Sequence, residues 1–225
     1  DEKHNPIGQY LPLYGSHNTS SRIVEQLSWS LPQKKRVWQK VIQEKINHQA
    51  DLLSLVDLND ESEVIRQYSL DVRSGDSSNR EAVAAKYYFS ALFGNDFCRD
   101  NDTPLNAALN YGYSILMSTV AREIVSRGYL TQTGICHRSE FNQFNFACDL
   151  MEPFRPVVDK TILSKFEGNF SKELRHHLSD LVNEELSYKD GRYRLSSVIS
   201  GFVQDCLNAL NKKTSVSEIS SFELS

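Results

Sequence analysis

The chain has few of the residues that mark a secreted, membrane-bound or charge-coating protein. Of its 225 residues only four are cysteine, Cys98, Cys136, Cys148 and Cys206, and they form neither a C-x-x-C pair nor a regular framework. That argues against a disulfide-stapled scaffold and a thiolate-held structural zinc, and leaves free thiols in a reducing cytoplasm as the simplest account. No apolar run approaches the ~18 residues a membrane span needs. The start, Asp1-Glu2-Lys3-His4, has no signal-peptide architecture and no initiator Met, so the sequence reads as an internal fragment. Basic charge is not in excess either. With 25 Lys and Arg against 29 Asp and Glu, the net charge of −4 argues against a protein that coats DNA by charge alone. Internal repeats and low-complexity segments are absent.

What is present is enough chain for one large helical core with a small appended element. Residues 1–18 differ from the rest: Tyr10, Leu11, Leu13 and Tyr14, broken by Pro12 and closed by Gly15, suggest strand remnants and a linker. From Ser20 the periodicity is helical. Ser20 or Ser21 caps a helix through Leu27, and Pro32 suits the first turn of a second, with Val37, Trp38, Val41, Ile42 and Ile46 at helical spacing. Asn59 or Asp60 is positioned to cap a helix through Leu70. Further helices are expected over 80–93, 104–127, 144–166 and 196–211, and from Ser171 through Leu186. Lys189-Asp190-Gly191 is a turn signal that allows a tiny hairpin near 188–195. Beyond Lys213 the Ser-rich composition predicts a flexible tail. The fold class is mainly α.

Charge is unevenly spread. Between Ser21 and Ala50, Arg22, Lys34, Lys35, Arg36, Lys40 and Lys45 face only Glu25 and Glu44, whereas Asp51 to Asp76 holds seven acids against Arg66 and Arg73. This pattern fits a phosphate-facing surface beside a solvated one, and equally an ordinary amphipathic helix pair.

Two places hold residues of catalytic type. Glu81 opens a helix whose continuation, Ala82 to Phe89, is apolar apart from Lys86. An acid in a first turn also serves the helix N-terminus, worth roughly 0.3–1 kcal/mol. The second place runs from Gly134 to Asp159. It contains His137 in an expected loop, Asp149 and Glu152 three residues apart on one helical face, and Pro153 and Pro156, which should kink or interrupt the helix. One imidazole with two or three carboxylates is an oxygen-rich ligand set suited to Mg²⁺ or Mn²⁺ and to phosphodiester chemistry. Arg138 and Arg155 are suited to phosphate oxygens. His4, His48, His176 and His177 read as surface residues.

Three stretches carry a family resemblance: Leu11-Pro12-Leu13-Tyr14-Gly15-Ser16-His17 with Leu27-Ser28-Trp29-Ser30; Arg80-Glu81-Ala82-Val83-Ala84-Ala85-Lys86-Tyr87-Tyr88-Phe89; and His137 through Asp149-Leu150-Met151-Glu152-Pro153-Phe154-Arg155-Pro156 to Asp159. Together they resemble the CRISPR-associated integrase and endonuclease family of spacer acquisition, in its type II branch. The resemblance implies a remnant of an N-terminal β domain and linker at 1–18, a helical catalytic domain at 19–211 and a flexible tail at 212–225. It implies that Glu81, His137 and Glu152 are catalytic and ligate the divalent metal, Mg²⁺ or Mn²⁺, with Asp149 as a supporting acid. The reaction implied is attack of a DNA 3′-hydroxyl on a repeat-boundary phosphodiester to insert new spacers.

Partners implied by the same resemblance are double-stranded DNA (the captured fragment and the CRISPR repeat), a homodimer of the full-length protein and a small dimeric CRISPR-associated protein. A type II DNA-end-binding ring protein and an effector nuclease join them, in a prokaryotic cytoplasm and with no membrane. Arg80, Arg138, Arg155, Lys34, Lys35 and Arg36 are the expected DNA contacts. The competing expectation is a catalytically silent helical fragment that binds DNA or a partner.

Overall fold

The computed structural model describes residues 19–224. The expected N-terminal strand remnant and linker, and His4, lie outside the described residues. Helix α1 covers Thr19–Leu27, and α2 covers Leu31–Leu55 with Pro32 in its first turn, where a missing N–H costs nothing. The periodic positions of α2, Val37, Trp38, Val41, Ile42 and Ile46, are all buried. This helix is the centre of the fold: it packs against α3 (Asn59–Leu70), α4 (Arg80–Phe93), α7 (Arg155–Lys165) and α9 (Leu195–Leu210). Neither Asn59 nor Asp60 caps α3. Leu58 holds the N-cap position, without a side-chain bond.

Helix α5 (Pro104–Ser126) starts as its sequence predicts, with the Thr103 hydroxyl accepting the Asn106 N–H at 3.2 Å. It ends before Gly128, whose φ of 80° needs glycine's freedom. Gly112 lets α5 and α7 approach so closely that a Cβ would collide with Val158.

The predicted helix over 144–166 is divided in three. Helix α6 (Asn145–Met151) gives way to a single 3-10 turn at Glu152–Phe154, and α7 follows. Pro153 and Pro156 lack the N–H groups that would continue the ladder, so the backbone tightens there. Helix α8 (Lys172–Asp180), capped by Ser171, stops short of the expected Leu186. A 3-10 turn at Leu181–Asn183 leads instead into β1 (Glu185–Tyr188), which pairs with β2 (Gly191–Arg194) around a Lys189-Asp190 turn.

The tail departs most from expectation. The chain after Lys213 is not free but folds back. Ser215 and Glu218 form a reciprocal capping box, and β3 (Phe222–Glu223) joins β1 antiparallel, giving the sheet order β2-β1-β3. Ile219, Phe222 and Leu224 are buried. Phe222 stacks on Phe154 at 5.0 Å, so the tail covers the 3-10 turn that carries Glu152. His48 is likewise buried rather than on the surface, its Nδ1 at 2.9 Å from the Pro153 carbonyl and its Nε2 at 3.0 Å from that of Phe222. Among the described residues no helix is long and apolar enough to cross a membrane.

Candidate functional site

Glu81 lies in the first turn of α4, where sequence reasoning left a capping role open. Asp76 takes that role instead, its two carboxylate oxygens accepting the N–H groups of Arg80 (2.8 Å) and Glu81 (3.0 Å). The Glu81 side chain is thereby free to reach across to α2, where its Oε1 stands 2.7 Å from Lys45 Nζ.

Glu152 comes to the same ammonium from the 3-10 turn, with Oε2 at 2.5 Å from Lys45 Nζ. Two carboxylates from separate elements therefore lie within about 5 Å of one another around one cation. The other Glu152 oxygen, Oε1, accepts from Arg155 Nε (2.9 Å) and Nη2 (2.8 Å). Burial by itself would raise the Glu152 carboxyl, but Arg155 and Lys45 outweigh it and hold the group at about 2. For Lys45, burial pulls the ammonium down while Glu152 and Glu81 raise it above its ordinary value. Glu152 Oε2 has its contact with the ammonium of Lys45.

Asp149 and Glu152, expected on one face, serve different neighbours. Asp149 is fully buried and gathers the loop before α6: its Oδ2 accepts from Ile135 N–H (2.6 Å) and Cys136 N–H (3.1 Å), its Oδ1 from His137 N–H (3.0 Å) and His137 Nδ1 (2.7 Å). Gly134 makes room for this carboxylate, since a Cβ there would sit 2.6 Å from Asp149 Oδ2. The hydrogen bond to Asp149 raises the imidazole of His137 above its ordinary value, with smaller contributions from Glu152 and Glu81. With Nδ1 committed to Asp149, Nε2 is the nitrogen left for a ligand. Cys136, next along, has its thiol pushed up to about 11 by burial and by Asp149, so it offers no thiolate at neutral pH.

The structure thus brings Glu81 and Glu152 together on Lys45, while the contact of the His137 ring is with Asp149. Among the described residues no three His, Cys, Asp or Glu side chains form a ready-made metal cage.

The expected DNA contacts divide. Arg138 is exposed and lines a cleft of about 460 Å³ with Lys34 and His137. Arg155 is bonded to Glu152 and lies over the face of Tyr113 at 4.5 Å. Arg80 is engaged by Asp71 (3.3 Å) and stands over Tyr68. Lys35 lies with its stem against Gly75, and Arg36 is exposed and bonded to Gln33.

Sequence reasoning gave no site role to Lys45, Asp76 or Asp159, naming Lys45 only in the charge pattern and Asp159 only as the end of the third motif. Asp159 is buried beneath the site and accepts from Tyr88 (2.8 Å) and Tyr113 (2.5 Å); burial lifts it to about 6 against those two bonds. The available signal for Asp159 was an acid at a helical position among Val157, Val158, Thr161 and Ile162.

A mainly α domain with an acidic, histidine-bearing centre at a proline-broken turn is the class that this architecture defines. The chain belongs to the CRISPR associated protein Cas1 family, whose description matches residues 1–175. It is 38% identical over 208 residues to the CRISPR-associated endonuclease Cas1 of Neisseria meningitidis serogroup C (strain 8013), covering 90% of this chain and 68% of that protein. A CRISPR-associated endonuclease Cas1 of Thermus thermophilus is 36% identical over 95 residues, covering 38% of this chain and 30% of the relative. Two solved structures share the fold. A chain of a partial Cas6-RT-Cas1–Cas2 complex superposes with a TM-score of 0.76 at 19% identity, covering all of this chain and 80% of that one. A casposase bound to integration product gives 0.74 at 20% identity, covering 96% and 71%.

Proposed function

We propose that this chain is the helical catalytic part of a divalent-metal-dependent DNA integrase and endonuclease of CRISPR adaptation. A DNA 3′-hydroxyl attacks a phosphodiester at a repeat boundary, one P–O bond forms as another breaks, and the displaced strand leaves as a new 3′-hydroxyl. The observation that carries this reading is the meeting of Glu81 and Glu152 on one cation position.

Two hard carboxylate oxygens and a neutral imidazole nitrogen fit Mg²⁺ or Mn²⁺, and Glu81, Glu152 and His137 Nε2 would hold the ion. When bound, such an ion polarises a phosphoryl oxygen and stabilises the attacking and leaving oxygens. The chain's own residues do the rest. Asp149 fixes the tautomer and aim of His137 and ties down the loop that presents it. Arg155 fixes the orientation of Glu152 through Oε1. Arg138 and Lys34, in the cleft beside His137, are placed to hold phosphates by charge.

In this reading the protein acts on a captured duplex and the CRISPR repeat, as a homodimer bridged by a small dimeric partner. The likeness to chains solved within Cas1–Cas2 complexes supports such a partner. The sequence motifs support the type II branch, and with it a DNA-end-binding ring protein, an effector nuclease and a prokaryotic cytoplasmic setting.

A second reading, a catalytically silent DNA- or partner-binding unit, draws on the fact that Lys45 and Arg155 together already neutralise the carboxylate pair. Joining of a 3′-hydroxyl DNA end to a repeat-containing duplex separates the two. It is expected only with Mn²⁺ or Mg²⁺ and lost in Glu81→Ala, His137→Ala and Glu152→Ala; full activity in any of these variants removes that residue from the site.

A further inference from the structure

We infer that Lys45 is the resident counter-cation of this site, and that a divalent ion reaches Glu152 only by displacing it. The inference rests on the metal reading above and deepens it. Glu152 has two oxygens, and Oε1 already receives both the Nε and Nη2 of Arg155. Any further ligand must use Oε2. That oxygen belongs to a side chain only 2% exposed, and Lys45 Nζ stands on it at 2.5 Å. The same ammonium lies 2.7 Å from Glu81 Oε1. A divalent ion bound to both oxygens at ~2.0–2.2 Å would fall where Nζ now lies, and two cations cannot share that space.

The two cations on Glu152 also differ in freedom. The Arg155 guanidinium is clamped between its carboxylate and the Tyr113 ring, 4.5 Å away, and forms a rigid fork. Lys45 carries a point charge on a flexible stem and meets Glu152 through Nζ on Oε2 alone, whereas Arg155 presents two nitrogens to Oε1. Lys45 is therefore the group that yields. Without metal it holds the two carboxylates together; with metal it must swing away, and the ion's affinity is set by this competition.

Mn²⁺ titration by calorimetry, with thermal unfolding in chelator, tests the inference on the purified protein and on Lys45→Gln, Lys45→Arg and Glu152→Gln. Lys45→Gln is expected to bind Mn²⁺ about tenfold tighter, a difference of about 1.4 kcal/mol. Its metal-free form should melt lower than the wild type, and Mn²⁺ should raise its melting temperature by more. Lys45→Arg, which keeps the charge, should show no such tightening. Unchanged or weaker binding by Lys45→Gln, where the wild type binds and Glu152→Gln does not, overturns the displacement and leaves the metal reading standing. Failure of the wild type and of Lys45→Gln alike to bind Mn²⁺ overturns both. A readout on the wild type alone does not depend on how the variants fold. Mg²⁺ should raise the reactivity of Lys45 towards an amine-acylating reagent, read by peptide mass spectrometry, and a Lys45 equally protected with and without Mg²⁺ overturns the inference.

Discussion

Asp149 and Glu152 are acids three residues apart, both buried, and they are held in opposite ways. Asp149 is solvated by the backbone: three consecutive N–H groups and one imidazole satisfy its two oxygens. Glu152 is solvated by charge, from two side chains on two helices. The difference originates in the chain between them. Asp149 is still on α6 and faces the loop at 134–137, while the 3-10 turn forced by Pro153 swings Glu152 towards α2. Backbone donors cannot leave without unfolding the loop, whereas side-chain cations can be exchanged for another cation. One carboxylate is built for permanence and the other for substitution.

The comparison breaks most visibly at Asp149. Asp149→Ala would leave three loop N–H groups and the imidazole without their acceptor, at ~1–3 kcal/mol for each buried group. A loss of about 4 kcal/mol in urea denaturation is expected, with weakened Mn²⁺ binding because His137 is no longer aimed. Gly134→Ala should reproduce this in milder form, about 2 kcal/mol, since its Cβ would press on Asp149 Oδ2 and, at 2.7 Å, on the His137 carbonyl oxygen. If both variants keep wild-type stability, the loop is not held by Asp149.

Glu152 should behave differently, and pH separates the two cases. The folded carboxyl is held at about 2 against an ordinary 4.5, so between these values the unfolded chain binds more protons than the folded one. The contribution of Glu152 is therefore complete above about pH 4.5 and is lost as pH falls through about 2. Wild type should exceed Glu152→Gln by up to about 3 kcal/mol at neutral pH, a ceiling from the size of the shift. That gap is expected to narrow steadily below about pH 4.5 in denaturation curves; a gap that stays constant down to pH 3 would mean that Lys45 and Arg155 do not stabilise the ionised form.

The same contrast explains what the sequence made legible. The helices and the proline break at 152–156 follow from periodicity and from missing N–H groups, which are local properties. Glu81, His137 and Glu152 drew notice only through their surrounding motifs, because isolated acids and imidazoles are common on helices. Lys45 was illegible for a different reason. It is one of six basic residues on a stretch that reads as amphipathic, and its partner Glu81 is 36 positions away, brought near only by the packing of α4 on α2. His48 and the tail failed alike: a polar residue and a Ser-rich segment are ordinarily exposed, and only the return of β3 onto β1 buries them.

The smallest expected effect distinguishes the inward arginine from the outward one. Arg138 is exposed in the cleft beside His137, where Lys34 has its ammonium pushed down by burial and by Arg138 itself, so the two cations repel until a phosphate comes between them. Arg138→Gln should leave the fold as stable as before, and weaken DNA binding alike for all sequences. The slope of log K against log salt should fall by about 1, as for the loss of one phosphate contact. Arg155→Gln should do the reverse, destabilising the protein through the uncompensated Glu152 while changing the salt slope little. If the slope instead responds to Lys35 and Arg36 and not to Arg138, the DNA follows the outer face of α2 rather than the cleft, and the phosphate-facing surface suggested by the charge pattern is the start of that helix.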